Sequence, residues 1–197
     1  MQVDIELRSY RFRKPLHTSF GTLRVRETIV LTLTDHDGVT GRGEAAPLQA
    51  YDGVALHSVK LALERYRAVL EQADELSGSR VIDSCRRIAD LPHAIAAVDT
   101  ALWERAALRE GCPVSELLTD GAAWAVPVNA TIGDEDRAGA ARAAAEAAEQ
   151  GFECVKVKVG IGDDAGRVAA VRAALVRLEM LQREGALLMM PEVLISR

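Results

Sequence analysis

Two lysines spaced two residues apart, in the run Val155-Lys156-Val157-Lys158-Val159, are the side chains whose type and spacing point most directly to chemistry. On a strand the valines face one side and both lysines the other. A strand lying between two helices in sequence should be covered on both faces and read as a continuous apolar run. A lysine face there is either solvated or looks into something other than a second helix layer. In a (β/α)₈ barrel the lysines would point inward near the C-terminal mouth, where the active sites of such barrels sit. Two ammonium groups on one face raise each other's cost of being charged, which is how a lysine becomes a usable general base near neutral pH.

Other polar residues are candidates to hold a substrate. Asn129, in Val126-Pro127-Val128-Asn129-Ala130-Thr131-Ile132, ends a short predicted strand and serves either a substrate or the backbone. Thr18, Ser19 and Phe20, and the run Tyr51-Asp52-Gly53, fall in predicted loops, where specificity residues concentrate and ordinary turns also occur. The common templates GxSxG, HExxH, the P-loop and the EF-hand loop are absent. His17, His36, His57 and His93 stand in no metal-ligand spacing and suit structural or exposed roles. Two stretches match the relaxed dinucleotide fingerprint G-x-G-x-x-A. Gly41 to Ala46 runs into Pro47 rather than a helix, and in Gly160 to Ala165 the carboxylates Asp163 and Asp164 stand where phosphates would sit. A nucleotide-binding domain is therefore disfavoured.

The elements that must position these residues fall into two groups. Val3–Leu7, Glu27–Thr34 and Val39–Glu44 have the composition or alternation of strands, with Asp37-Gly38 as a hairpin turn and Lys14–Gly21 as a loop. Val54–Ala73, Arg80–Ala89 and His93–Arg109 follow helical spacing; the Pro92 region closes the second of these, and Gly111 with Pro113 stops the third. After a boundary near Asp120–Ala123 the pattern becomes strand (Ala125–Thr131), helix (Ala138–Gln150, capped by Asp134), strand (Cys154–Val159) and helix (Asp163–Val176). Such alternation implies parallel strands with right-handed crossovers. Beyond about residue 176 the patterning is weak, and Ala186–Met190 reads as a third strand or a helix end. The expectation is an α+β domain over residues 1–123, an antiparallel meander plus helices, followed over 124–197 by the first β-α units of an incomplete (β/α)₈ barrel.

Composition narrows the partners. The formal charge of −5, with both signs interspersed, argues against a nucleic-acid or anionic-membrane surface. No apolar run approaches the ~18 residues of a membrane span, and the first residues do not read as a signal peptide. Three cysteines without CxxC spacing suit a reducing cytoplasm.

With these motifs in order, the chain resembles the enolase superfamily in its muconate-lactonizing (mandelate racemase/muconate cycloisomerase) subgroup. The resemblance rests on Lys14-Pro-Leu-His-Thr-Ser-Phe-Gly21, Gly38-Val-Thr-Gly-Arg-Gly-Glu-Ala-Ala-Pro47, Ala96-Ala-Val-Asp-Thr-Ala-Leu-Trp-Glu104, Pro127–Ile132 and Gly151–Gly160. It implies a capping domain over a barrel, with Lys158 as the proton-transferring base and Lys156 tuning it. Thr18–Gly21 and Tyr51–Gly53 would be the loops that close over a small carboxylate substrate. It further implies Mg²⁺, which holds that carboxylate while the α-proton is removed. Asn129–Ile132 and Thr18–Gly21 look most like o-succinylbenzoate synthases, the dehydratases of menaquinone synthesis; dipeptide epimerases and muconate cycloisomerases share nearly the same scaffold. The departure lies in the tail. The family continues with an Asp-x-Asn strand and then a Glu and an Asp as metal ligands, whereas Val176–Gly185 holds no Asp-x-Asn, and Glu179, Glu184 and Glu192 are not spaced along successive strand ends. Only 73 residues run from Ala125 to Arg197, against ~250 for a whole barrel. The opposite-face lysine is missing too. The tail thus reads as a truncation, which a frame change near Leu175 would produce. As given, the chain is expected to lack metal ligands, to be catalytically inactive and to self-associate.

Overall fold

The computed structural model describes residues 1–18, 20–133, 135–160, 162–183 and 192–196. The chain divides into two compact units, Met1–Arg11 with Val25–Ala122 and Phe12–Arg24 with Ala123–Arg197. Sequence patterning places a domain boundary at 123; by contacts, Phe12–Arg24 group with the second unit.

The first unit holds the larger part of a sheet of β1 (Gln2–Thr18), β2 (Gly21–Thr34) and β3 (Thr40–Ala45), in that order. Lys14–Thr18, expected as a loop, continue β1. Pro15 is tolerated because β1 is an edge strand, where a missing N–H need not break a ladder bond. The β2–β3 turn is knotted by Asp35, whose Oδ1 accepts from the N–H groups of Asp37 (3.1 Å) and Val39 (2.8 Å), with Gly38 at φ 81°. In the antiparallel register Ile29, Leu31 and Leu33 lie beside Ala45, Gly43 and Gly41. That face is covered by helices α2 (Leu56–Glu71), α3 (Gly78–Ile88) and α4 (Pro92–Glu110). Tyr66, Leu63, Val59, Val81 and Val98 fill the space between them. The glycines explain the failed fingerprint at 41–46. A Cβ at Gly41 would overlap the carbonyl oxygen of Ala101, and one at Gly43 that of Ala97. The G-x-G spacing therefore lets α4 lie directly on β3. Pro92 begins α4 rather than closing α3, because a first-turn proline lacks only an N–H that has no helical partner. Two short helices, α1 (Gln49–Asp52) and α5 (Val114–Leu118), have no signal in the periodicity.

The second unit carries a parallel sheet in the order β4 (Asn129–Ile132), β5 (Cys154–Lys158), β6 (Glu192–Ser196). Helix α6 (Arg137–Glu149) connects β4 to β5, and α7 (Asp164–Arg183) follows β5. Strand β4 is shorter than the expected 125–131. Asp136 caps α6, accepting from the Gly139 N–H at 2.7 Å; Asp134, the expected cap, lies outside the described residues. Helix α7 runs past the expected end at Val176, and Ala186–Met190 also lie outside the described residues. Ile132, Val155, Val157, Ala140, Ala144, Val171 and Leu175 form the core between sheet and helices. No helix among the described residues is long and apolar enough to cross a membrane.

Candidate active site on the parallel sheet

The alternation on β5 divides its side chains by face. Val155 and Val157 are fully buried, and their register partners on β4, Ala130 and Ile132, pack into the same cluster with α6 and α7. Lys156 and Lys158 are half-buried on the opposite face. There Cys154 lies beside Asn129 and Lys156 beside Thr131. Asn129 Nδ2 donates to Thr131 Oγ1 at 3.3 Å, and both residues are exposed. The sheet thus brings Asn129, Lys156 and Lys158 onto one face. The sequence places Asn129 at the end of its strand; the structure places it at the start, away from the C-terminal ends where parallel sheets carry their chemistry. Thr131 takes the position nearer that end. It is the residue that sequence reasoning misses, because only the pairing register sets it beside Lys156.

The rim at the strand ends is acidic, and three of its carboxylates, Asp136, Asp163 and Asp164, are engaged by the chain itself. Asp136 caps α6. Asp163 accepts from the Gly166 N–H at 3.1 Å and pairs with Arg137, and the Arg137 guanidinium, helped by that N–H, holds its carboxyl below the usual carboxylate range. Asp164 Oδ2 accepts from the Gly160 N–H at 2.6 Å. The start of α7 is therefore occupied by the chain's own carboxylates, which answers the fingerprint at 160–165: a phosphate would meet like charge. Among the described residues, no three His, Cys, Asp or Glu come together as a metal-binding group. These side chains do not fit the Mg²⁺ centre implied by the resemblance.

One cation is placed differently. Arg167 of α7 is 4% exposed. One guanidinium nitrogen donates to the carbonyl oxygen of Lys158 at 2.9 Å and the other to that of Gly133.

The remaining candidates lie elsewhere. Thr18 Oγ1 donates to the Gly21 carbonyl at 2.7 Å, and Phe20 sits in a turn just before β2; both belong to the same compact unit as the parallel sheet. Ser19 lies outside the described residues. Tyr51, expected in a loop, is on α1 in the first unit. Its neighbour Asp52 accepts from the N–H groups of Leu48 (2.7 Å) and Val54 (2.8 Å) and pairs with His93 Nε2 at 3.0 Å. The Leu48 N–H is the main influence holding the Asp52 carboxyl below its ordinary range. A cavity of ≈ 290 Å³ between α3 and α4, lined by Ser77, Ser79, Asp99, Leu102 and Trp103 among others, includes none of the nominated residues.

Comparison with known proteins matches residues 2–119 to the mandelate racemase/muconate lactonizing enzyme N-terminal domain. An L-Ala-D/L-amino acid epimerase of Pedosphaera parvula is 30% identical over 154 residues, 74% of this chain and 41% of that one. An o-succinylbenzoate synthase of Geobacillus stearothermophilus is 29% identical over 164 residues, 81% of this chain and 44% of that one. In structure, a dipeptide epimerase from Enterococcus faecalis, solved with Mg and L-Leu-L-Tyr, superposes with a TM-score of 0.78 at 24% identity, covering 88% of this chain and 50% of the other. The chain spans about half the length of the curated relatives it matches.

Proposed function

This chain belongs to the mandelate racemase/muconate lactonizing enzyme family of the enolase superfamily, and we propose that it carries the proton-abstracting side of an enolizing site, with Lys158 as base and Lys156 beside it. Residues 1–123 are proposed as the capping domain and 124–197 as the opening of the barrel. The observation that carries this reading is the face shared by Lys156, Lys158 and Thr131, opposite the valines that α6 and α7 cover. Lys158 would remove the proton α to a carboxylate, with Thr131 and Asn129 as hydrogen-bonding groups on the same face and Thr18, Ser19, Phe20 and Tyr51 in substrate contact. The family reaction also calls on Mg²⁺ as counter-charge for the enediolate; with no fitting donor set among the described residues, no step is assigned to it.

Two substrate assignments follow from different relatives. The Asn129–Ile132 segment and the synthase relatives favour dehydration to o-succinylbenzoate in menaquinone synthesis, and the epimerase relatives equally favour inversion of a dipeptide. Muconate cycloisomerisation is the remaining family alternative. A small-molecule substrate, a cytoplasmic setting and no nucleic-acid or membrane partner complete the reading.

The chain itself is proposed to be catalytically inactive as given. The test incubates it in D₂O with Mg²⁺ and either 2-succinyl-6-hydroxy-2,4-cyclohexadiene-1-carboxylate or L-Ala-L-Glu, reading product and α-deuteration by NMR. Neither is expected to form. Turnover lost in Lys158→Ala would overturn the inactive assignment and support the base, whereas turnover surviving Lys158→Ala would overturn the base.

A further inference from the structure

We propose that Arg167 is a positioning residue for Lys158, acting through the main chain of the two strand ends. The inference rests on Lys158 being the base. Lys158 is the last residue of β5 and Gly133 follows the last residue of β4, so their carbonyls mark the two strand ends. Arg167 supplies two donors at once: one nitrogen to Lys158 O at 2.9 Å, the other to Gly133 O. The guanidinium is rigid and planar, so its nitrogens keep a fixed spacing. It therefore sets the end of β4 relative to the end of β5. The carbonyl it holds on β5 belongs to Lys158 itself.

Three further observations separate this from an ordinary helix–sheet contact. Arg167 is 4% exposed, so water does not compete for these bonds. Its Nε is buried with no hydrogen-bond partner among the described residues, an arrangement that favours the two carbonyls at the expense of one donor. Among the described residues its carboxylate contact is Asp164 at 3.5 Å, a side chain itself bonded to the Gly160 N–H at 2.6 Å. Arg167 is thus held by strand ends more closely than by an acid.

The sequence has four lysines, Lys14, Lys60, Lys156 and Lys158, so reductive ¹³C-methylation of the full chain yields one dimethyl-lysine signal for each. The signals and their pH titrations are compared in wild type, Arg167→Lys, Arg167→Gln and Arg172→Gln, the last altering an exposed residue of α7. Arg167→Lys keeps the positive charge but loses the fork; it adds a fifth dimethyl-lysine signal, recognised by its absence from the other three spectra. Both Arg167 variants are expected to displace the Lys158 signal and move its titration midpoint by about half a pH unit or more, the scale produced when the spacing of nearby charges changes. Lys14 and Lys60 are expected to hold still, and Arg172→Gln to match wild type. A wild-type Lys158 signal and midpoint in Arg167→Lys would overturn the proposal, because a cation alone would then suffice. Loss of the fold of the second unit in both Arg167 variants would also overturn it, in favour of a purely structural role. Should only Arg167→Gln unfold, Arg167→Lys decides. Failure of the base assignment reads out separately: a wild-type Lys158 titration identical to those of Lys14 and Lys60 counts against the base, whereas only the difference between variant and wild type bears on Arg167.

Discussion

Gly43→Ala is expected to be among the most damaging single-methyl additions in the first unit. The new Cβ would overlap the Ala97 carbonyl oxygen and lie 2.7 Å from its carbon, inside the 3.0 Å that real Cβ atoms keep. Both parties are main chain, so no side chain can rotate away. Either α4 lifts off β3, thinning the contacts of Ala97, Val98 and Ala101 with the sheet, or β3 distorts. Overpacking of this kind costs ~2–3 kcal/mol, about 10 °C in Tm for a unit of roughly 100 residues. Gly41→Ala presents the same problem one helical turn along, against Ala101 and against Arg105 N at 2.7 Å. Because one lift of α4 relieves both clashes, the double variant should cost less than the two singles together. Gly38→Ala is the contrast: φ is +81° but nothing lies within 4 Å of the added Cβ, so strain alone costs about 1 kcal/mol. Urea unfolding read by Trp103 on α4, in a Trp124→Phe background, measures all four. A Gly43→Ala cost no larger than that of Gly38→Ala, or strict additivity of the Gly41 and Gly43 changes, would refute the close-approach argument.

Asp136→Ala removes the α6 cap and should destabilise the second unit by ~1 kcal/mol; an unchanged urea midpoint would contradict this. Asp52 and Asp163 have carboxyls held below their ordinary range in the folded state. Their contribution is complete above the unfolded value of about 4 and is lost as pH falls through the folded values. Urea midpoints should therefore drop on acidification below that point, and less steeply in Asp52→Asn; a midpoint that rises in acid would reverse the assignment. Burial pushes the Cys85 thiol up to about 11, so a thiol reagent at neutral pH should label Cys112 and Cys154 before it and reach Cys85 only on unfolding. The outer edges of β4 and β6 have no sheet partner among the described residues, and Trp124, Val126 and Val128 are 104%, 75% and 66% exposed. Self-association and hydrophobic-dye binding are expected; sedimentation as a compact monomer that binds no dye would count against this.

What the sequence reveals depends on how local each cause is. The lysine–valine alternation of β5 is legible because a strand separates its faces with a period of two. The stripe of α2 is legible for the parallel reason, helical spacing of Val59, Leu63, Tyr66 and Leu70. The extension of β1 through Pro15 and His17 is hidden, since an edge strand carries little apolar alternation. Thr131 is invisible until a register pairs it with Lys156, and the meaning of Gly41 and Gly43 waits on the helix that crosses them. Arg167 reads as one more charge on a helix. Its role comes from two carbonyls, at Gly133 and Lys158, that no side-chain pattern encodes.

The alternation on β5 also guards the fold against a mispaired version of itself. Were the strand to turn over by one position, Lys156 and Lys158 would move under α6 and α7, where Ala140, Ala144, Val171 and Leu175 offer no counter-charge. Burying each unpaired ammonium would cost several kcal/mol, while Val155 and Val157 would be turned outward. Competing arrangements of this short parallel sheet are thereby pushed far above the native one. The proposed base and its neighbouring lysine thus help ensure that only one folded arrangement is populated.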